Sequence, residues 1–233
     1  MQSETRRVEG FSDAVFAIAI TLLILEIKVP TQGQDSLMGL LLRQWPSYLA
    51  FITSFAYIGI LWINHHRMFS HIRKCNDVLL GLNLLLLLGV TVVPFPTAVV
   101  AEHLHGPDRR TAAILYNATF VFISLAFQAL WRYAVSRNLL EEDVRASAKK
   151  VSRQIMVVPF LYLGCAVLAW FNVHGSIFVN LALTLYHASP NTWFTSTPLP
   201  AAIQGTPLRY CASAYIPRSS VGHFQPFSAL ILL

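Results

Sequence analysis

Asp13 lies two residues inside an apolar run, Phe11–Val29, whose other polar side chains are Ser12, Thr21, Glu26 and Lys28. An ionised carboxylate in such a run is costly unless it faces protein or water, so it could balance a cation, hold a proton or bind a partner helix. It could equally cap the start of a helix. Arg7, six residues earlier, is outside the i, i+4 reach that pairs side chains on one helix, so a partner for Asp13 is expected on another helix. The second informative cluster is Trp62-Ile63-Asn64-His65-His66-Arg67, with His71 beyond it. His65 follows Trp62 by three residues, so both can face one neighbour. Asn64 or His65 is therefore a candidate partner for Asp13, and a proton relay from Asp13 to His65 is one possible chemistry. The alternative is that these histidines mark a membrane edge.

Other chemistries find little support. His65 and His66 are adjacent and point about 100° apart on a helix, so they cannot grip one ion from one face. His103-x-His105 lacks surrounding ligands at zinc spacing. No metal site and no cofactor are expected. No G-x-S-x-G, H-E-x-x-H or Walker string occurs. The acidic cluster Glu141, Glu142, Asp143 lies among Arg and Lys and reads as a solvated helix face. Cys75, Cys165 and Cys211 are far apart and odd in number, which gives no disulfide framework. Asn117-Ala118-Thr119 has the N-glycosylation pattern but falls inside an apolar span.

The elements that position these residues follow from composition. Of 233 residues, 55% are hydrophobic and 12% charged, whereas soluble domains carry about 25% charged residues. That is too little charge to coat a water-soluble globule, so an enzyme of the soluble kind is not expected. The net charge of +6 suits cytoplasmic loops better than nucleic acid, since no basic segment is interleaved with aromatics. Charge-free runs at Gln44–Asn64, Val78–Ala101, Thr111–Trp131 and Gln154–Val173 each reach about 20 residues, enough to cross hydrocarbon as helices. Phe11–Val29 and a window from Gly175 to Ser189-Pro190 complete the set. The predicted fold is all-α, a polytopic bundle of six transmembrane helices.

Orientation follows from Lys and Arg. Arg6, Arg7, Arg67, Arg73, Lys74, the 4–5 segment from Arg132 to Arg153, and the tail fall on one side. Lys28, Arg43, Arg109 and Arg110 fall on the other. This predicts N-in and C-in. Pro94, Pro96 and Pro159 should kink or end their helices. Ser136–Ser152 reads as a helix continuing into the cytoplasm. Residues 1–190 form the membrane domain. Residues 191–233, rich in Pro, Ser and Thr, read as an extended or disordered tail. No internal repeat is visible, so one copy cannot easily build a symmetric pore.

Ile18, Thr21, Leu22 and Leu25 recur at i, i+3, i+4, i+7 and share one helical face. Periodicity leaves that face either lipid-facing or packed.

Arg7-x-x-x-Phe11-Ser12-Asp13, opening the first span, resembles the R-x-x-x-F-S-D signature of the potassium channels of endosomes and lysosomes and their bacterial relatives. The run from Ala14 to Pro30, the Trp62-x-x-His65-His66 segment and the six-span layout are similar too, over roughly residues 5–190. The resemblance implies a cation channel that favours potassium, built as a homotetramer in a lipid bilayer. The first helix of each subunit would line the central pore. Ile18, Leu22 and Leu25 would form apolar rings, with Thr21 beside them. Arg7, Phe11, Ser12 and Asp13 would hold helices together, supported by Trp62, Asn64 and His65. A plasma-membrane location follows for a bacterial-type chain. The family lacks a T-V-G-Y-G filter, and none occurs here. Selectivity would then rest on partial dehydration at an apolar constriction. The rival reading is a proton-coupled secondary transporter using Asp13 and His65, which would favour broken mid-membrane helices and an inverted repeat.

Overall fold

Apolar runs with few interruptions can satisfy their backbone polar groups only as helices when water is excluded. The computed structural model describes residues 2–28, 36–104 and 106–188, so expectations placed on the 191–233 tail and on His105 lie outside the described residues. The described elements are α1 (Gln2–Leu22), a 3-10 turn (Leu23–Glu26), α2 (Leu37–Arg43), α3 (Trp45–Ser70), α4 (Asp77–Val92), α5 (Pro94–His103), α6 (Arg109–Ser136), α7 (Glu142–Phe171) and α8 (Val173–Ala188). Among the described residues the fold is all-helical, with one isolated antiparallel bridge, Ile72 to Leu140.

Among the described residues five stretches are long and apolar enough to cross a membrane: Thr5–Glu26, Trp45–Ser70, Asp77–His103, Arg109–Ser136 and Val151–Phe171. They match the first five expected windows in order. Each of the middle three runs past its charge-free window by several residues in all; in α3 the last turn carries Arg67, whose long side chain can reach water. α8 has 16 residues, a length of about 24 Å, roughly a turn short of the hydrocarbon thickness.

Local chemistry explains the helix ends. Asn76 caps α4 by accepting from Leu79 N at 2.9 Å. Pro94 lacks an N–H, so the third span breaks at Val93, and Pro94 becomes the first residue of α5. Pro159 stays inside α7. The continuous helix expected over Ser136–Ser152 does not form. α6 ends at Ser136, and Asn138 adopts a left-handed φ of 55°. Leu139 N then donates to Ala134 O at 3.0 Å and Asn138 N to Val135 O at 3.2 Å, a Schellman stop. Helix resumes only at Glu142, as the start of α7. The freed strand-like stretch pairs with residues after α3, through Arg73 N to Leu139 O at 2.9 Å and Glu141 N to His71 O at 3.1 Å.

α6 is the hub, packing on α4, α5, α7 and α8 and burying Tyr116, Phe120, Ile123, Phe127, Leu130 and Trp131. Where α4 crosses it, Gly89 leaves no room: a Cβ there would stand 2.7 Å from Ile123 Cγ1. Small residues at crossings and interhelical hydrogen bonds are what hold helices together in lipid. Ser54 Oγ bonds Thr97 Oγ1 at 2.8 Å and Tyr116 Oη at 2.9 Å. Asn180 Nδ2 donates to Asn117 Oδ1 at 3.0 Å.

Candidate functional site

α1 packs on α3 and α4 and divides into two faces. Thr5, Ser12, Phe16, Ala19 and Leu23, spaced seven, four, three and four apart, are buried. Roughly opposite on the helix stand Arg7, Phe11, Ile18, Leu22 and Leu25, all exposed. The contrast is sharp: Ile18 is 58% and Leu25 69% exposed, while Phe16 is 1% and Leu23 0%. Thr21 lies beside that stripe and donates its hydroxyl to Ile18 O at 2.9 Å. Its oxygen lone pairs are left pointing away from the donated bond. So the four residues picked from spacing share one unpartnered apolar face in the single chain.

The inward face is held by a directed chain of hydrogen bonds. Asn83 Nδ2 donates to Ser12 Oγ at 2.9 Å. Ser12 Oγ donates in turn to Val8 O at 2.8 Å. Asn83 Oδ1 is therefore the acceptor facing His65 Nε2, at 2.9 Å, which places the ring proton on Nε2. The His65 ring lies between Phe16, with centroids 5.3 Å apart, and Phe69, at 4.4 Å. Its Nδ1 has no hydrogen-bond partner among the described residues.

A second set of contacts ties α1 to α3. Trp62 Nε1 donates to Asp13 Oδ1 at 2.8 Å. One turn on, His66 Nδ1 meets Glu9 Oε1 at 2.7 Å. Glu9 and Asp13 are four apart on α1, Trp62 and His66 four apart on α3, so the antiparallel helices form two rungs.

Several expectations change here. Asp13 does not cap a helix start, because α1 begins at Gln2 and Asp13 sits well inside it. Its partner is Trp62, not Asn64 or His65. Asn64 is buried on the other side of α3, lining a cavity of about 40 Å³ with Tyr57, Ser124 and Tyr162. Asp13 and His65 engage different partners, so the relay required by the transporter reading is not assembled. Ser12 and Asp13 face inward, but Arg7 and Phe11 face out, bordering an open groove with Asp77 beside α4. Asn83 and the Glu9–His66 rung were not anticipated. Asn83 could have been noticed as the lone amide in the run Val78–Val90. Among the described residues no group of three His, Cys, Asp or Glu could hold a metal.

At the far end of α1, Lys28 Nζ pairs with Glu102 of α5, and Gln44 Nε2 donates to Lys28 O at 2.8 Å. The Glu102 carboxylate beside it raises the Lys28 ammonium above its ordinary pKa. The chain is thus tied down at the middle of α1, by the two rungs, and again just past its C-terminal end.

Comparison with known proteins agrees with this layout. The family described as "Endosomal/lysosomal potassium channel TMEM175" matches residues 7–94. A potassium channel of Chamaesiphon minutus is 46% identical over 192 residues, 80% of this chain and 95% of that protein. The chain belongs to the TMEM175 family. A Streptomyces collinus potassium channel is 41% identical over 210 residues, covering 88% of this chain and 99% of the relative. The crystal structure of a lysosomal potassium-selective channel TMEM175 homolog from Chamaesiphon minutus matches with a TM-score of 0.75. It is 44% identical and covers 80% of this chain and 97% of that one. TMEM175 proteins are ion channels rather than enzymes, so this multi-pass membrane chain needs no catalytic group. In TMEM175 terms, the matched segment runs from Arg7 of α1 through both rungs on α3 and all of α4, ending at Pro94.

Proposed function

We propose that the chain is a passive, moderately potassium-selective cation channel. Four copies assemble with their α1 helices around a central pore. Ile18, Leu22 and Leu25 form its apolar constriction, and Thr21 offers a hydroxyl oxygen beside it. The single observation that carries this reading is the unpartnered apolar face of α1 in a TMEM175-family chain. One subunit leaves that face bare, and a ring of copies would cover it. Relatives named as potassium channels at 41% and 46% identity supply the ion.

Ile and Leu rings offer no ligands, so an ion must shed part of its water to pass. Potassium holds water more weakly than sodium and loses less on the way, which yields moderate selectivity. A narrow apolar ring can also dewet and close. α8 is the sixth crossing, its shortness met by local thinning, which returns the C-terminus to the side of the N-terminus. The Lys and Arg distribution makes that side cytoplasmic. The membrane is the plasma membrane.

Purified protein in a planar bilayer under a potassium–sodium gradient tests the reading. Unitary currents should reverse toward the potassium equilibrium potential. Ile18→Asn should hydrate the ring and shift the reversal toward zero, and Leu25→Ala should raise conductance. Unchanged conductance and ion preference in both variants would remove these residues from the pore.

A further inference from the structure

At the end of the bundle that carries the connection between α6 and α7 lies a cleft of about 390 Å³ that α1 does not help to build. It is lined by Gln128, Arg132 and Ser136 of α6 and by Ser152, Arg153 and Met156 of α7. The helices are antiparallel here, so Gln128 and Met156 sit toward the apolar middle of the spans. Arg132, Ser136, Ser152 and Arg153 sit toward their watery ends. Both guanidinium groups are exposed, and neither pairs with a carboxylate among the described residues. One cation at this end is matched: Arg73 Nε meets Glu141 Oε1 at 2.9 Å. Two bare Arg forks facing one cleft are suited to a tetrahedral oxyanion, which guanidinium binds in a two-point fashion. Ser152 Oγ is already fixed by Trp131 Nε1 at 2.9 Å, leaving its own O–H to donate into the cleft. The apolar floor at Met156 and the opening at the boundary of two spans are what an acyl chain needs.

We propose that this cleft is a binding site for an anionic phospholipid, with Arg132 and Arg153 on the phosphodiester and Met156 against the first methylenes. A free phosphate would not use the apolar floor. The site would charge-match the leaflet that faces the α6–α7 connection. The proposal rests on the membrane reading of the chain and not on conduction, so failed bilayer currents do not bear on it.

The test is native mass spectrometry of the delipidated, detergent-purified full chain, offered dioleoyl phosphatidylglycerol, dioleoyl phosphatidylcholine or inorganic phosphate. Wild type should retain the anionic lipid about 30-fold better than the zwitterionic one, the effect expected of two basic groups. R132Q/R153Q should lose that preference, and each single variant should lose about five-fold. R109Q/R110Q, at the other end of α6, should keep it. Equal retention by R132Q/R153Q and wild type would overturn the proposal. Displacement of the lipid by millimolar inorganic phosphate would also overturn it, by showing a site for a free anion. Should the double variant fail to fold, the single variants decide.

Discussion

Asn83 is the residue on which the inner face of α1 turns. It donates to Ser12 and accepts from His65, all three being buried. Asn83→Leu would leave the His65 Nε2–H without its acceptor and Ser12 Oγ without its donor. Unsatisfied groups of this kind cost about 1–3 kcal/mol, and thermal unfolding of the solubilised protein should fall accordingly. Asp13 separates two roles. If it serves as an acceptor for Trp62, Asp13→Asn keeps an oxygen in place and stays close to wild type. Asp13→Leu removes it and should cost about 0.5–1.5 kcal/mol, the net range for an ordinary hydrogen bond. Equal losses in both would mean that the charge, not the acceptor, holds α3.

Helix against helix, the tightest point is Gly89 on α4. With Ile123 Cγ1 2.7 Å and Phe122 ring atoms 3.1 Å from a Cβ, Gly89→Ala must push α4 from α6. Overpacking of this sort costs about 1–3 kcal/mol, read as a lower midpoint of thermal unfolding. A neutral result would mean that Ile123 simply rotates away. The junction between residues 71–73 and 139–141 carries a pH dependence. Partial burial lowers the His71 pKa below its ordinary 6.5, with Glu141 opposing. A folded-state pKa below the unfolded one means that the unfolded chain binds more protons as pH falls through about 6.5. Stability contributed here is full above that pH and declines below it. Arg73 Nε bonded to Glu141 and the backbone pairing around His71 surround the group. The midpoint of unfolding should drop between neutral and mildly acidic pH, and His71→Gln should flatten that drop.

The proposed ring of copies would give the outward face of α1 a use. With Cys75, Cys165 and Cys211 replaced, Ile18→Cys on the exposed stripe should cross-link into dimers under oxidant if copies meet there. Phe16→Cys, 1% exposed, should not. Denaturing gels read both. Cross-links from Phe16→Cys alone, or none from either, would count against a ring of α1 helices.

Class and order of elements were legible because lipid imposes a simple rule. A run of about 20 apolar residues has one way to satisfy its backbone, and five such runs are helices where hydropathy put them. Pro94 broke its span for the same local reason. The Ser136–Ser152 segment misled because its composition favours helix while Asn138, taking a left-handed turn, stops it within one residue. Arg7-x-x-x-Phe11-Ser12-Asp13 pointed to the family from residue identity alone. Partnership was a different matter. Trp62 rather than His65 reaches Asp13, and Asn83, 71 residues from Ser12, closes the network. Such pairings depend on how far α1, α3 and α4 are rotated about their axes when their side chains interlock. Periodicity of a mostly apolar helix carries no record of that rotation, because lipid and protein accept the same side chains. Packing sets it, and with it which stripe of α1 is left bare.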